Sequence, residues 1–367
     1  MSIRIGVIGG GTFGRNHLLA FRQLERGGRA VLAGLADTNP ELLRQRKEEF
    51  GIPVYEDHRR MLDEIETDAV SIATPDHLHR EIALEALRRG KHVLVEKPLD
   101  LTEAGCRELI GLAEKNGRLL QVDFHKRFDP DHRAMAEAVR RGGLGDILYG
   151  HAHMEDRVEV PTRWFPGWAA NSSPAWFLGI HFFDLVNWML GDRPARVFAT
   201  GQRGRLPGME AETWNAIQTH VTYARGAAVT FQCSWVLPDE FEAIVNQGVR
   251  LVGSQGCWEV DSQDRGTASC LAGEGMRTHN NHFLRERADK SGQITREGYG
   301  IDSIADFVEN LEFLAAGHSL EDLRGKYPSG QDAMEATRVA AAAHASLESG
   351  EPVDLSPPSG HAGESRP

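Results

Sequence analysis

The sequence predicts an α/β domain built on a doubly wound parallel sheet, followed by an α+β domain with a large, mostly antiparallel sheet. Three observations carry that prediction. Over the first 125 residues, short apolar runs alternate with longer amphipathic stretches, the pattern of parallel strands joined by helical crossovers. After Pro130 the apolar runs follow one another closely, as strands of an antiparallel sheet do. The length of 367 residues exceeds what one hydrophobic core organises, so two domains are expected.

The first strand is Ile3–Ile8, and helical spacing follows over Phe13–Gly27. Val31–Ala36 is the second strand. Pro40–Phe50 is a helix with proline in its first turn and Gly51 at its stop. Val54-Tyr55 makes a short third strand and Ala69–Ala73 a fourth, leading to a helix over His77–Arg89 that ends at Gly90. Strands His92–Val95 and Leu119–Phe124 flank a helix over Thr102–Asn116. In the second domain a helix over Asp131–Arg140 leads through Gly142-Gly143 into strands Ile147–Met154, Ala195–Thr200, Ala216–Tyr223, Ala227–Trp235 and Gly248–Gly253. One apolar helix, Phe182–Leu190, lies among them, and Ser303–Ala316 and Gly330–Ser349 are closing helices. The expected boundaries are 1–125, 126–355 and a disordered tail over 356–367, where Pro, Ser and Gly replace apolar periodicity.

Composition narrows the function. A net charge of −12 without a basic tract opposes binding to nucleic-acid phosphates. No apolar run of about 18 residues is present, so no membrane span is expected. The chain opens directly on a strand, without a charged-then-apolar leader. Its four cysteines (Cys106, Cys233, Cys257, Cys270) form no Cys-x-x-Cys pair, which fits neither a zinc site nor a disulfide framework. A cytoplasmic setting is expected. His151 and His153 alternate on a strand with no third ligand at metal spacing, so no metal site is expected.

The sharpest motif is Gly9-Gly10-Gly11-Thr12-Phe13-Gly14, between the first strand and the first helix. Gly9 allows the tight turn, Gly11 lets the backbone approach a diphosphate, and Gly14 lets helix and strand pack closely. Thr12 and Phe13 then open a helix whose free N–H groups and positive dipole end suit phosphates. A glycine-rich turn without a ligand is the competing reading, and the strand–turn–helix context argues against it. Asp37, 23 residues beyond Gly14, stands where a carboxylate accepts hydrogen bonds from an adenosine ribose. It would repel a 2′-phosphate, and no Arg or Lys follows before Arg44; NAD is therefore favoured over NADP. Asp37 as a turn residue before Asn39-Pro40 is the alternative.

Two further stretches end predicted strands, where doubly wound sheets bind ligands: Ala73-Thr74-Pro75-Asp76-His77-Leu78-His79, and Gly90-Lys91-His92-Val93-Leu94-Val95-Glu96-Lys97-Pro98. Thr74, Pro75, His79, Glu96 and Lys97 are thus candidate cofactor contacts. With the glycine turn, these stretches make the chain resemble the Gfo/Idh/MocA oxidoreductases, the family of glucose–fructose oxidoreductase and inositol dehydrogenase. Glu96-Lys97-Pro98 is the most specific mark. Arg127-Phe128-Asp129-Pro130, Gly142–Ile147 and Gly179-Ile180-His181-Phe182-Phe183-Asp184 extend the resemblance over roughly 3–355. It implies NAD(P) across a Rossmann crevice, a polyol or sugar on the second-domain sheet, Lys97 in the active site, and a homodimer or homotetramer.

Chemistry assigns the expected roles. The Lys97 ammonium can stabilise a developing alkoxide. His181 is the acid/base candidate, since imidazole titrates near neutrality, and Asp184 shares its helical face. A buried structural histidine capped by Asp184 is the alternative. The family pattern places an aspartate four residues before this histidine, where Phe177 stands here; that departure leaves the division of proton transfer among Lys97, His181 and Asp184 open. His125, Arg127, Arg163, Trp164 and Asn171 are candidate substrate contacts, with a domain-linking salt bridge for Arg127 and plain loop packing for Arg163, Trp164 and Asn171 as competing readings. The expected activity is hydride transfer between a secondary alcohol of a sugar, sugar acid or cyclitol and NAD. A non-catalytic NAD-binding regulator and a glycoside-cleaving enzyme with transient redox are the alternatives.

Overall fold

Strand β1 (Ile3–Ile8) is apolar apart from Arg4 near its start and almost wholly buried, as a central parallel strand must be when helices cover both sides. In the computed structural model, which describes residues 2–169, 171–209, 212–261, 267–271, 275–280, 282–288 and 290–355, it lies at the centre of a six-stranded sheet. The neighbours are β2 (Ala30–Ala36), β3 (Val54–Tyr55), β4 (Ala69–Ile72), β5 (His92–Val95) and β6 (Leu120–Val122), in the order β3-β2-β1-β4-β5-β6. Every pairing in this sheet is parallel. The strand order reverses between β1 and β4, the place where such sheets leave a crevice at their carboxyl ends.

The connecting helices end where their sequence says. Asn39 caps α2 (Pro40–Phe50), accepting from the amides of Glu41 and Leu42, and Gly51 stops it in the left-handed region. Thr102 caps α5 (Glu103–Asn116), and Gly117 ends it likewise. The expected helix from His77 starts as a 3-10 turn over Asp76–Leu78 and becomes α-helical at His79. A short helix over His58–Glu64 was not expected; its seven residues are too few for a periodic signal.

Two compact units emerge, and they divide differently from the expected boundaries. The first holds residues 1–129 and 282–334, the second residues 130–281 and 335–367. Helix Tyr299–Ala315, expected in the second domain, places Ile304, Phe307, Val308 and Leu311 in the same core as Ile5, Leu18, Phe21 and Leu35. Helical periodicity reveals an apolar stripe but not the surface that receives it. Gln23 fixes the approach of this segment by exchanging hydrogen bonds with the backbone of Arg296.

The second unit is built on a seven-stranded sheet: β7 (Ile147–Arg157), β8 (Pro194–Arg205), β9 (Glu212–Tyr223), β10 (Ala228–Leu237), β11 (Val245–Gly253), β12 (Cys257–Asp261) and the terminal pair Val353–Asp354. All its pairings are antiparallel except β7 with β10. Along β7, buried Gly150, Ala152 and Met154 alternate with more open His151, His153 and Glu155, so one face is packed. Helix Ile180–Leu190 belongs to that buried layer, its Phe183 ring edge-on to Phe231 of β10 at 4.9 Å. The tail expected over 356–367 lies outside the described residues.

Candidate functional site

At the end of β1 the chain turns at Gly9, whose φ is +97°, and the Gly9 amide donates to the Ala36 carbonyl at 2.8 Å. A Cβ on Gly9 would lie 2.3 Å from the Ala73 carbonyl oxygen, and one on Gly14 would lie 2.0 Å from that of Gly9. Neither position admits a side chain. Gly11 differs: its Cβ position meets nothing within 4 Å, so the turn presents bare backbone at the N-terminus of α1 (Thr12–Arg26). Gly11 caps that helix without a side-chain hydrogen bond. Orphan amides and the positive dipole end therefore point outward, as a diphosphate requires.

Asp37, at the end of β2, braces this turn. Its Oδ2 accepts from the Gly10 amide at 2.7 Å and its Oδ1 from the Asn39 amide at 2.8 Å. Both sequence readings of Asp37 therefore concern one carboxylate: it shapes the turn, and its oxygens retain lone pairs for hydroxyl donors. Arg46 donates to the Gly10 carbonyl at 3.0 Å and pairs with Glu49. Across the crevice, the Thr74 hydroxyl is buried without a hydrogen-bond partner. The open Gly11 face and this unsatisfied hydroxyl fit a bound dinucleotide. His79 behaves otherwise: both ring nitrogens are committed to main-chain carbonyls, Nδ1 to Pro98 at 2.6 Å and Nε2 to Thr74 at 2.8 Å. It ties the two candidate loops together and leaves neither nitrogen for a cofactor.

Lys97 is nine-tenths buried at the end of β5 and precedes a cis Pro98. Beside it lies a polar cluster of which only Glu96 stood out in the sequence. His17, on the buried face of α1, places Nδ1 2.7 Å from the Ser71 hydroxyl and Nε2 3.1 Å from Glu96 Oε1. Asp123 Oδ2, just beyond β6, lies 3.6 Å from the same Nε2. Glu96 Oε2 also accepts from the Lys97 amide at 3.3 Å. Burial works against the Glu96 charge, but the hydrogen bond and charge of His17, with Lys97, outweigh it and hold the carboxyl at about 2. Burial, reinforced by Glu96, pushes Asp123 up to about 7. His17 is raised although burial opposes it, because Glu96 and Asp123 favour the imidazolium. Their donor atoms lie within 4.8 Å of one another, the one such grouping of metal-ligand type among the described residues. The available signal was position: both acids stand at strand carboxyl ends, and His17 interrupts an apolar helix face three residues after Gly14.

The other candidates fall into distinct settings. His125 is buried, stacked on Tyr299 at 5.7 Å and tilted against Phe283 at 5.6 Å. Burial first, then Lys126, lowers its pKa to about 3, so it is neutral at physiological pH. Arg127 is buried and pairs with Asp332 at 3.5 Å; both residues belong to the first unit, so this pair is not the domain-linking bridge expected. In the second unit, His181 and Asp184 sit one turn apart on helix Ile180–Leu190, both buried. Arg163 is exposed and pairs with Asp239 at 2.6 Å and Glu159 at 3.2 Å. Trp164 is exposed, and exposed Asn171 donates to the Gly167 carbonyl at 3.4 Å. Phe177, at the position of the missing aspartate, packs on Trp168 with ring centroids 4.7 Å apart and on Phe165 at 6.1 Å. It belongs to an apolar cluster with Ala169, Leu206 and Trp235.

Comparison with known proteins agrees with this architecture. The profile described as "Oxidoreductase family, NAD-binding Rossmann fold" matches residues 3–124, and the GFO/IDH/MocA C-terminal domain profile matches residues 132–259. Inositol 2-dehydrogenase 2 of Saccharopolyspora erythraea is 32% identical over 210 residues, a match that spans 57% of this chain and 59% of that protein. Inositol 2-dehydrogenase of Rubrobacter xylanophilus is 28% identical over 357 residues, 95% of this chain and 92% of that protein. The crystal structure of scyllo-inositol dehydrogenase from Lactobacillus casei with bound NAD(H) and scyllo-inositol superposes with a TM-score of 0.75 at 20% identity. That superposition covers 96% of this chain and 99% of that one, and it establishes a shared fold. Two family profiles in tandem, on the parallel and mixed sheets described above, make the chain a member of the Gfo/Idh/MocA family of NAD-binding Rossmann-fold oxidoreductases.

Proposed function

We propose that the protein is an NAD-dependent dehydrogenase that oxidises a secondary alcohol of a cyclitol, sugar or sugar acid. The observation that carries this reading is the glycine turn with its open Gly11 face, braced by Asp37, on the same unit as buried Lys97. The names of the inositol dehydrogenases among its relatives support the substrate class.

When bound, NAD supplies the hydride acceptor. Gly11, Thr12, Phe13 and Gly14 would hold the diphosphate through backbone amides, with Gly9 making the turn that presents them, while Asp37 would hold the turn and select against a 2′-phosphate. Thr74, Pro75 and Glu96 line the crevice. Lys97 stabilises negative charge developing on the substrate oxygen. His181 takes the hydroxyl proton and Asp184 orients its ring. Phe177 takes no part in proton transfer, because it carries no titratable group and packs in an apolar cluster. His125, Arg127, Arg163, Trp164 and Asn171 remain candidate substrate contacts, with Arg127 and Arg163 already engaged in ion pairs. Four free cysteines suit a reducing cytoplasm, and the exposed face of the mixed sheet suits self-association into a dimer or tetramer.

The test is a panel of sugars and cyclitols with NAD and with NADP, following absorbance of the reduced nicotinamide. NAD-dependent oxidation is expected, and Lys97→Ala and His181→Ala are each expected to lower kcat by ~100-fold or more. Near-normal rates in both variants would remove the mechanism. Tight NAD binding without turnover indicates a regulator, and glycoside cleavage without net NADH indicates transient redox; either overturns the reading.

A further inference from the structure

We propose that His17, Glu96 and Asp123 form a buried proton-holding unit beside Lys97, in which Asp123 takes up and returns one proton through His17 as the site turns over. This rests on the dehydrogenase reading in one respect only: oxidation of an alcohol to a ketone releases one proton for each hydride removed, and the proton that His181 takes has to be passed on before the next cycle.

Three elements converge on the unit: α1 brings His17, the end of β5 brings Glu96, and the end of β6 brings Asp123. Two buried carboxylates this close do not ionise independently, so one is held ionised and the other is pushed toward its neutral form. Geometry decides which. Glu96 accepts from His17 at 3.1 Å and from the Lys97 amide at 3.3 Å, whereas Asp123 stands 3.6 Å from His17. Asp123 Oδ1 is buried without a hydrogen-bond partner, which leaves a lone pair for a proton. The titratable groups facing Asp123 are His17, Glu96 and Lys97, and Ser303 faces it from helix Tyr299–Ala315. His125, with Lys126 and Asp129 acting on it, forms the next ring and stays neutral. A small cavity lined by Phe13, His125 and Phe283 also touches His17, Glu96 and Asp123.

The atoms balance simply. The hydroxyl O–H bond breaks and His181 takes its proton; the ionised Asp123 carboxylate then takes up one proton by way of His17, and that proton leaves for solvent before the next cycle. His17 and Asp123 are thus positioning residues that act through Lys97 and its surroundings. Below about pH 7 Asp123 already carries the proton, so oxidation slows there and the reverse reduction is favoured.

The experiment begins with the NAD-free protein, so it does not depend on activity. Carboxyl titration followed by infrared difference spectroscopy is expected to show one group near pH 7. Asp123→Asn removes it, and His17→Gln moves it upward by removing the cationic partner. In the wild type, kcat for alcohol oxidation rises through the same pH; Asp123→Asn flattens that limb and lowers kcat by ~10-fold above it, while NAD affinity stays within about threefold. A carboxyl band that does not titrate near pH 7, or an Asp123→Asn profile that superposes on the wild type, overturns the proposal. A merely structural role would lower the melting temperature and leave the pH profile in place, which also overturns it. Should Asp123→Asn fail to fold, the wild-type titration and the His17→Gln shift decide the matter alone. A protein that titrates as expected but oxidises no polyol refutes the dehydrogenase reading and leaves the unit standing.

Discussion

The glycine turn offers a way to separate fold from cofactor within one hexapeptide. Gly14 and Gly11 lie three residues apart, yet a methyl group added to each meets opposite surroundings. On Gly14 it would sit 2.0 Å from the Gly9 carbonyl oxygen and 2.8 Å from its carbon. Those atoms are backbone, held by the Gly9 amide bond to Ala36 at 2.8 Å, so α1 has to move away from β1. Overpacking of that kind costs about 2–4 kcal/mol. On Gly11 the methyl meets nothing within 4 Å. The φ of −63° there suits alanine, and exchanging glycine for alanine at a helix cap alters stability by less than about 1 kcal/mol. That same methyl occupies the surface a diphosphate must touch. Gly11→Ala is therefore expected to keep the wild-type melting temperature and to raise the Kd for NAD by at least ~10-fold, about 1.4 kcal/mol. Gly14→Ala is expected to lose stability before any ligand is added. Calorimetric melting and NAD titration of both variants measure the two effects separately. Unchanged NAD affinity in Gly11→Ala would refute the placement of the diphosphate, and an unshifted melt in Gly14→Ala would refute the packing argument.

Other expectations follow from the same geometry. Asp37→Ala removes the acceptor for the Gly10 and Asn39 amides; it should weaken NAD binding and narrow the preference over NADP, and an unchanged affinity ratio contradicts the assignment. His92 is held at about 4 by burial and then by Arg118, while the Leu119 amide donates to its Nδ1 at 2.9 Å. The unfolded chain binds that proton near pH 6.5. The His92 contribution is thus complete above that pH and is lost as pH falls toward 4, an effect of roughly 1–3 kcal/mol. Urea midpoints at about pH 7 and pH 5 should differ less in His92→Gln than in the wild type; an equal difference argues against this histidine. Phe177→Ala should cost about 2–4 kcal/mol through lost packing on Trp168 and Phe165, and Phe177→Asp more, read as melting temperature. A stable Phe177→Asp variant would show that the apolar cluster does not depend on this ring.

Local chemistry was largely legible in the sequence. The turn glycines, the proline and glycine that bound α2, and the strand ends at Thr74 and Glu96-Lys97 each act within a few residues of chain. Periodicity and steric constraint therefore reveal them directly. Side-chain partnership was less legible. His79 and Glu96 stand in stretches that read as ligand-facing, but His79 spends both nitrogens on two loops and Glu96 spends an oxygen on His17, 79 residues earlier in the chain. A salt bridge linking domains was one reading of Arg127, but its pair with Asp332 lies within the first unit.

By itself the sequence determined the parallel sheet, the glycine turn and the family, because alternating periods and backbone-dictated glycines are properties of short segments. Tertiary structure alone decided that residues 282–334 complete the first unit, that Phe177 is seated among aromatic rings, and that His17, Glu96 and Asp123 share one buried space. Those outcomes depend on which distant surfaces meet. An apolar stripe or a lone acid encodes the need for a partner, and only the folded chain supplies its identity.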